Sequence, residues 1–379
     1  MHFYFSTPVI PGPSKPAWAC VLGESSNGRT PGSGPGNWGS NPYSPANNMR
    51  INLIEARDIS IKVLQNLGFD LIQSKYVTQN LIDAELSNKK SHGLIRLLEF
   101  NQKKQNGNLN VSNFKLQILS ESPTHLYIEG NNHLGYAPIY ESLEYSFQKI
   151  KSSKILAVGI RNLDMTGYIG SYALSAVERD LIYLGFHNSK GLLVPFGSVN
   201  KMWGTNPLTV GIPTSATPVI LDMSSSQITW GDLLVAKNEC KDLEEGVAID
   251  KFGNPTINPI EALEGGLLPF VGYKGSGLAF IVELLAGALT NSRIGDNFSG
   301  GWGSFYILID PTLFRSLDEF KRDISSAVDQ LKNSKKAKGF DEIYFAGERS
   351  FDIRKENLDK NSITITDSLY KGILNLVTS

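Results

Sequence analysis

The sequence predicts an α+β protein whose folded part begins near residue 49. Three observations carry this. At Met49 a stretch rich in Gly, Pro, Ser and Asn, without a period of 2 or 3.6, gives way to an amphipathic pattern. In the middle of the chain, apolar runs of strand length alternate with helical stripes. Near the end a last apolar run, "GSFYILIDP", leads into an amphipathic helix, "SLDEFKRDISSAVDQLKN".

Taken in order, "RINLIEARDISIKVLQNLGF" places Leu53, Ala56, Ser60, Val63, Leu64 and Leu67 on one stripe. Asn52 and Glu55 are spaced as a capping pair and Gly68 is a stop signal. "YVTQNLIDAELSN" is a second helix, followed by "KKSHGLIRLLEF". "THLYIEG" is a strand and "IYESLEYSFQKIKSS" a helix. "KILAVGIRN" is a buried strand, "GSYALSAVERD" a helix, and "LIYLGFHNS" and "TPVILDMS" are further strands, the last ending on a polar turn. No internal repeat of fixed period is present.

Bulk properties narrow the function. The chain has 379 residues, enough for two or three domains or one large unit. Lys plus Arg number 36 against 37 Asp plus Glu, so the net charge of −1 provides no field to gather nucleic acid or anionic lipid. Cys20 and Cys240, in unrelated contexts, make neither a disulfide framework nor a zinc ligand set. No apolar run approaches the ~20 residues that span a bilayer. The start, "MHFYFSTPVIPGPSKPAWACVLG", lacks a basic region and is cut by prolines, unlike a signal peptide. A soluble cytoplasmic protein is expected.

Gly34 to Gly39, "GPGNWG", spells G-x-G-x-x-G. That motif binds a dinucleotide only when a strand delivers the chain to the glycine turn and a helix then aims its amides at the pyrophosphate. Here Pro31 and Pro35 disrupt pairing and "NWGSNPYSPANN" opens no helix, so the match is read as chance. Gly39-Ser40-Asn41-Pro42 can instead be encoded as the T arm of a transfer-RNA gene, and Ser25 to Arg29 as a D arm. Residues 1–48 are therefore expected to be a disordered, over-extended gene start, with Met49 the initiator; N-terminal sequencing of the native protein tests this.

The first stretch with chemical content is "SHGLIR", Ser91 to Arg96. If a helix starts here, His92 and Arg96 lie at i, i+4 on one face, a proton donor one turn from a guanidinium that can hold a carboxylate in bidentate fashion. On its own the histidine reads as a cap or surface residue. It gains meaning beside "FGSVNKMWGTNPLTVGIP", "VILDMSSS", "GVAIDKFGNPTINPIEAL", "GGLLPFVGYKGSGLAFIVELLAG" and "YFAGE". In this order and spacing the set resembles the malate/L-lactate dehydrogenase family, which includes sulfolactate and ureidoglycolate dehydrogenases, diketogulonate reductase and cyclic-imine carboxylate reductases. The resemblance runs from Met49 to the C-terminus.

The resemblance implies an NAD- or NADP-dependent oxidoreductase, usually homodimeric, acting on a small-molecule carboxylate. It implies an α+β fold with a non-Rossmann nucleotide domain inserted between N- and C-terminal segments that pack together. The boundaries it suggests are an N-terminal segment 49–122, a nucleotide domain 123–305 and a C-terminal segment 306–379. His92 then matches the proton donor, Arg96 a substrate-carboxylate ligand and Ser91 a supporting residue, with Ser189 at a substrate-facing position. Leu221, Asp222, Met223 and Ser224, the pair Tyr273 and Lys274, and Gly347, Glu348 and Arg349 match nucleotide-contacting positions. The hydroxyls of "LDMSSS" are expected to be free for ribose or phosphate, and Lys274 for a phosphate charge. Asp250 and Pro255 read as turn residues, and His125 and His133 carry no clear role. One departure stands out. Where relatives read N-x-x-H-x-G, this chain has Asn162 to Gly167 with Met165 in the histidine's place, and a thioether moves no proton. Reduction of a cyclic imine carboxylate, or an inactive relative that only binds NAD(P) or a metabolite, are the alternatives this leaves.

Overall fold

The computed structural model describes residues 48–238, 240–295 and 301–378. The leader expected at 1–48, with the Gly34–Gly39 match, lies outside the described residues except for Asn48, which opens strand β1 (Asn48–Asn52). Helix α1 (Leu53–Asn66) starts where the stripe predicts, because the Asn52 side chain accepts the Ile54 amide at 2.8 Å. Glu55, the other half of the expected capping pair, instead accepts the Tyr370 hydroxyl at 2.6 Å. Helix α2 (Leu71–Leu86) is capped by Asp70. A 3₁₀ turn (Lys90–His92) then leads to α3 (Arg96–Gln105).

The middle of the chain runs through β2 (Gln117–Ser122), β3 (His125–His133), α4 (Tyr136–Ser153), β4 (Ile155–Leu163), α5 (Gly170–Val177), β5 (Ile182–His187), β6 (Leu208–Ile212) and β7 (Val219–Met223). Next come α6 (Trp230–Asn238), β8 (Ala248–Ile249), α7 (Pro259–Glu264), β9 (Gly266–Leu267), α8 (Tyr273–Val282) and β10 (Trp302–Ile309). The chain ends with α9 (Leu317–Lys332), α10 (Glu348–Asp359), β11 (Ser362–Thr366) and α11 (Asp367–Thr378).

The central sheet has the order β2-β3-β4-β10-β5-β6-β7. Only β3 and β4 are parallel, joined by the crossover helix α4; every other neighbouring pair is antiparallel. The result is a mixed helix and strand protein around a mostly antiparallel central sheet. Two of its strands, β2 and β6, were not predicted. "QILSES" is too polar for the pattern to mark, and "LTVGI" lay inside a motif read for its turn residues.

The sheet buries one face under α4 and α5. Ile139, Leu143, Phe147 and Ile150 of α4 and Tyr172, Ala173 and Ala176 of α5 meet Val158, Ile160, Tyr183, Tyr306 and Leu308 of the strands. A fully buried side chain of this size is worth about 1.5–3 kcal/mol. A second core joins the two ends of the chain: β1 pairs antiparallel with β11, and Leu64, Leu81 and Phe100 pack with Ile363, Ile365 and Ile373. The paired residues lie more than three hundred positions apart in the chain. No helix among the described residues is long and apolar enough to cross a membrane.

Candidate active site

The "SHGLIR" stretch is not one helix. Gly93 has extended ψ and breaks the 3₁₀ turn, so His92 ends that turn and Arg96 opens α3; the expected single helical face is replaced by two elements. They stay near enough for the Arg96 charge to act on the His92 ring. Ser91 Oγ lies 3.1 Å from His92 Nδ1. A hydroxyl that donates to Nδ1 leaves the proton on Nε2, the tautomer a proton donor needs. Helix α6 presses on this turn: a Cβ on Gly231 would sit 2.2 Å from Ser91 Cβ, so the glycine lets the helix approach.

His92 is half-buried, and burial, followed by the Arg96 and Lys89 charges, pushes its pKa down to about 3. It is neutral at physiological pH, able to take a proton from a hydroxyl or to give its own N–H proton to a carbonyl oxygen. The Arg96 guanidinium is largely buried and pairs with Glu99, while its Nε–H has no partner. The Tyr136 hydroxyl, also buried and unpartnered, lies among the charges of Arg96, Glu99 and Asp164. Unspent donors of this kind carry a desolvation penalty that a bound anion would relieve.

Met165 places no titratable group here. Its side chain packs against the helical core, its amide donates to Asp164 at 2.8 Å, and Asp164 in turn holds Lys103 of α3. Among the other histidines, His133 lies between Gln73 and Ser112 against the Phe114 ring, and His125 bonds Ser120 and Ser122. Both are structural.

A cleft of about 290 Å³ adjoins the turn. Its walls include Ser87 and Lys89 just before the 3₁₀ turn, Leu221 and Asp222 of β7, and Gly347 and Arg349 at the start of α10. Burial pushes Asp222 up to about 6, opposed by Lys89, the Gly170 amide and the Thr209 hydroxyl. Arg354 is tied to Asp83 at 2.8 Å and Arg349 lies over the Tyr344 ring. Neither Lys89 nor Arg349 makes a carboxylate ion pair among the described residues. Two cations and a helix N-terminus lining one cleft fit a phosphate-bearing ligand. Gly347 has φ +91°, and a Cβ there would meet the Ile220 carbonyl oxygen at 2.6 Å, so α10 sits hard against β7.

Not every expected nucleotide residue is gathered here. Glu348 turns to Lys332 at 2.6 Å. Tyr273 and Lys274 open α8, where the Tyr273 ring meets Phe196 edge-on, and neither lines this cleft. The hydroxyls after β7 are not free as expected: Ser224 Oγ pairs with Ser226 Oγ at 2.5 Å, and Ser225 Oγ donates to the Asn206 carbonyl at 2.7 Å. These hydroxyls are spent on one another and on the Thr205–Asn206 carbonyls just before β6, which tie the end of β7 to that segment. Ser189 packs on the backbone of Gly204, whose absent Cβ leaves room for its Oγ. The site features missed in the sequence are Lys89, Tyr136 and Glu85, each marked by position in space rather than by a local pattern.

A model of the malate/L-lactate dehydrogenase family matches residues 51–374. The chain belongs to that family. This dehydrogenase is 33% identical over 296 residues to the malate/(S)-sulfolactate dehydrogenase of Methanothermus fervidus, covering 76% of this chain and 87% of that one. It is 26% identical to the ureidoglycolate dehydrogenase (NAD(+)) of Escherichia coli, over 79% and 87% of the two chains. The solved sulfolactate dehydrogenase of Methanocaldococcus jannaschii superposes with a TM-score of 0.79 at 30% identity, covering 87% of this chain and 97% of that one. The protein is thus an NAD(P)-dependent dehydrogenase interconverting hydroxy and oxo acids, with NAD or NADP as cofactor.

Gly347→Ala is expected to weaken cofactor binding about tenfold, because the strained φ and the close Ile220 carbonyl together cost ~1–3 kcal/mol. Titrating NAD(P)H fluorescence checks this; an unchanged Kd would place the cofactor elsewhere.

Proposed function

We propose that this dehydrogenase reduces a small 2-oxo acid, or oxidises the 2-hydroxy acid, at the turn carrying Ser91, His92 and Arg96. NAD or NADP would bind in the adjoining cleft by a non-Rossmann mode. The observation that carries the reading is the continuity of the two: Ser87 and Lys89 line the cleft and lead directly into the turn. Leu221, Asp222, Gly347 and Arg349 would hold the nucleotide, with Lys89 and Arg349 answering its phosphates. When bound, the nicotinamide supplies or accepts the hydride at its C4. Arg96 anchors the substrate carboxylate and so fixes C2. His92 gives a proton to the carbonyl oxygen on reduction, or takes one from the hydroxyl on oxidation, with Ser91 holding the ring.

The same reading assigns 49–122 and 306–379 to segments that pack together around a nucleotide domain at 123–305, in a cytoplasmic homodimer. The paired β1 and β11 support the inserted arrangement. Met165, which carries no proton, favours one second reading, reduction of a cyclic imine carboxylate, where protonation is less demanding.

The test follows NAD(P)H absorbance with a panel of 2-oxo acids, with and without a second acidic group, and of cyclic imine carboxylates. Turnover of a 2-oxo acid is expected. Turnover of imines alone would replace the reading with the second one, and cofactor binding without any turnover would point to an inert relative.

A further inference from the structure

We propose that Glu85 is a positioning residue of the reaction: its carboxylate reaches from α2 to cap the start of α3 and holds the His92–Arg96 turn in working geometry. The inference rests on the reading of that turn as the substrate site.

Helix α3 has no side-chain cap of its own, since the residue before it is Ile95. Its entry is served from another helix instead. The Leu94 amide donates to Glu85 Oε1 at 2.8 Å in a buried setting, which satisfies an otherwise open donor at the start of α3. Glu85 is only 4% exposed. Burial pushes its carboxyl up to about 7, opposed by the Leu94 amide and the Lys90 charge.

Gly93 explains how the carboxylate gets there. A Cβ on Gly93 would lie 2.1 Å from Glu85 Oε1, 2.5 Å from Cδ and 2.8 Å from Cγ. The missing side chain is therefore the slot that the carboxylate fills. On the two sides of this slot are the functional groups: His92 immediately before Gly93, and Arg96, whose amide donates to the Gly93 carbonyl at 3.0 Å. Leu94 itself is buried in the helical core, so the clamp joins the turn to a rigid base. A leucine at position 85 would fill similar space without the cost of burying a carboxyl group. What it would lack is the acceptor for Leu94, and that acceptor is the one thing the carboxylate adds.

The experiment compares the full chain with Glu85→Leu, Glu85→Gln and Gly93→Ala, reading hydrogen exchange over residues 90–97 and steady-state kinetics with a 2-oxo acid. Leaving the buried Leu94 amide without its acceptor predicts exchange at Leu94 and KM for the 2-oxo acid each rising about tenfold in Glu85→Leu, with cofactor Kd unchanged. Glu85→Gln, which keeps an oxygen acceptor in place, should restore both, and Gly93→Ala, which evicts the carboxylate, should repeat the defect. Exchange and KM unchanged in Glu85→Leu would overturn the proposal. So would a defect spread equally over cofactor Kd and exchange throughout the chain, or a glutamine variant as impaired as the leucine one. If the wild type turns over no 2-oxo acid, the substrate-site reading fails, and exchange at Leu94 with its rescue by glutamine still decides whether Glu85 is the cap.

Discussion

His92→Asn is expected to lower kcat for 2-oxo acid reduction by about 10²–10⁴-fold, the usual contribution of a positioned proton donor, while leaving cofactor Kd unchanged. Asparagine keeps a polar side chain of similar reach, so the Ser91 contact and the packing against α6 survive and the loss reports chemistry. The low pKa of the ring adds a second signature. With the neutral form favoured down to about 3, hydroxy-acid oxidation should hold its rate well below pH 6.5. Binding of a carboxylate at Arg96 offsets one of the charges that depress the ring, so the pKa read from kcat should lie above that read from kcat/KM. A variant that keeps most of its kcat would remove His92 from the mechanism. Attention would then turn to Tyr136 and the Lys103–Asp164 pair, the other polar groups near Arg96 and Met165.

Arg96→Ala is expected to raise KM for the 2-oxo acid by about 30-fold or more, because truncating one partner of a buried, hydrogen-bonded charge pair costs ~2–5 kcal/mol. Arg96→Lys should recover only part of this, since an ammonium keeps the charge and loses the planar fork. The guanidinium already touches Glu99, so the substrate must share it or displace that carboxylate. Glu99→Gln should therefore lower KM modestly. Substrate affinity within about threefold of wild type in Arg96→Ala, a difference under 1 kcal/mol, would move the carboxylate site elsewhere.

A pH effect on stability follows from His187, which is 1% exposed and has no partner at either ring nitrogen. Burial lowers its pKa from 6.5 to about 3. The folded state thus favours the neutral ring; its contribution is complete above pH 6.5 and declines as pH falls toward 3. Between pH 6.5 and 5 the wild type should lose about 2 kcal/mol through this group. Urea unfolding of His187→Gln over the same range should lack that part of the decline. Glu85 and Asp222, with raised pKa values, act in the opposite sense and destabilise the fold as pH rises, so comparison with the variant isolates the histidine. An equal slope in both proteins would contradict the buried, neutral state.

Much of this protein is legible in its residues taken in order. The α1 stripe and its Asn52 cap, the strands around "LAVGI" and "FYILI", and the α4 helix are local patterns, and the physics that makes them is local too: side-chain period, caps and turn formers. The family likeness was readable for the same reason, since residue type and spacing are sequence properties. Strands β2 and β6 were not, because a strand's stability resides in partners the pattern does not name.

What only the tertiary structure decided is which groups meet. It split "SHGLIR" into a 3₁₀ turn and a helix start, spent the serines after β7 on one another and on the Thr205–Asn206 backbone, and kept Tyr273 and Lys274 out of the cleft. It also brought Lys89, Gly347 and Arg349 into one cleft and Glu85 against Gly93. Those placements depend on close packing between elements far apart in the chain, where a single absent Cβ or one buried carboxylate sets the approach, and no spacing along the sequence encodes a distance across it.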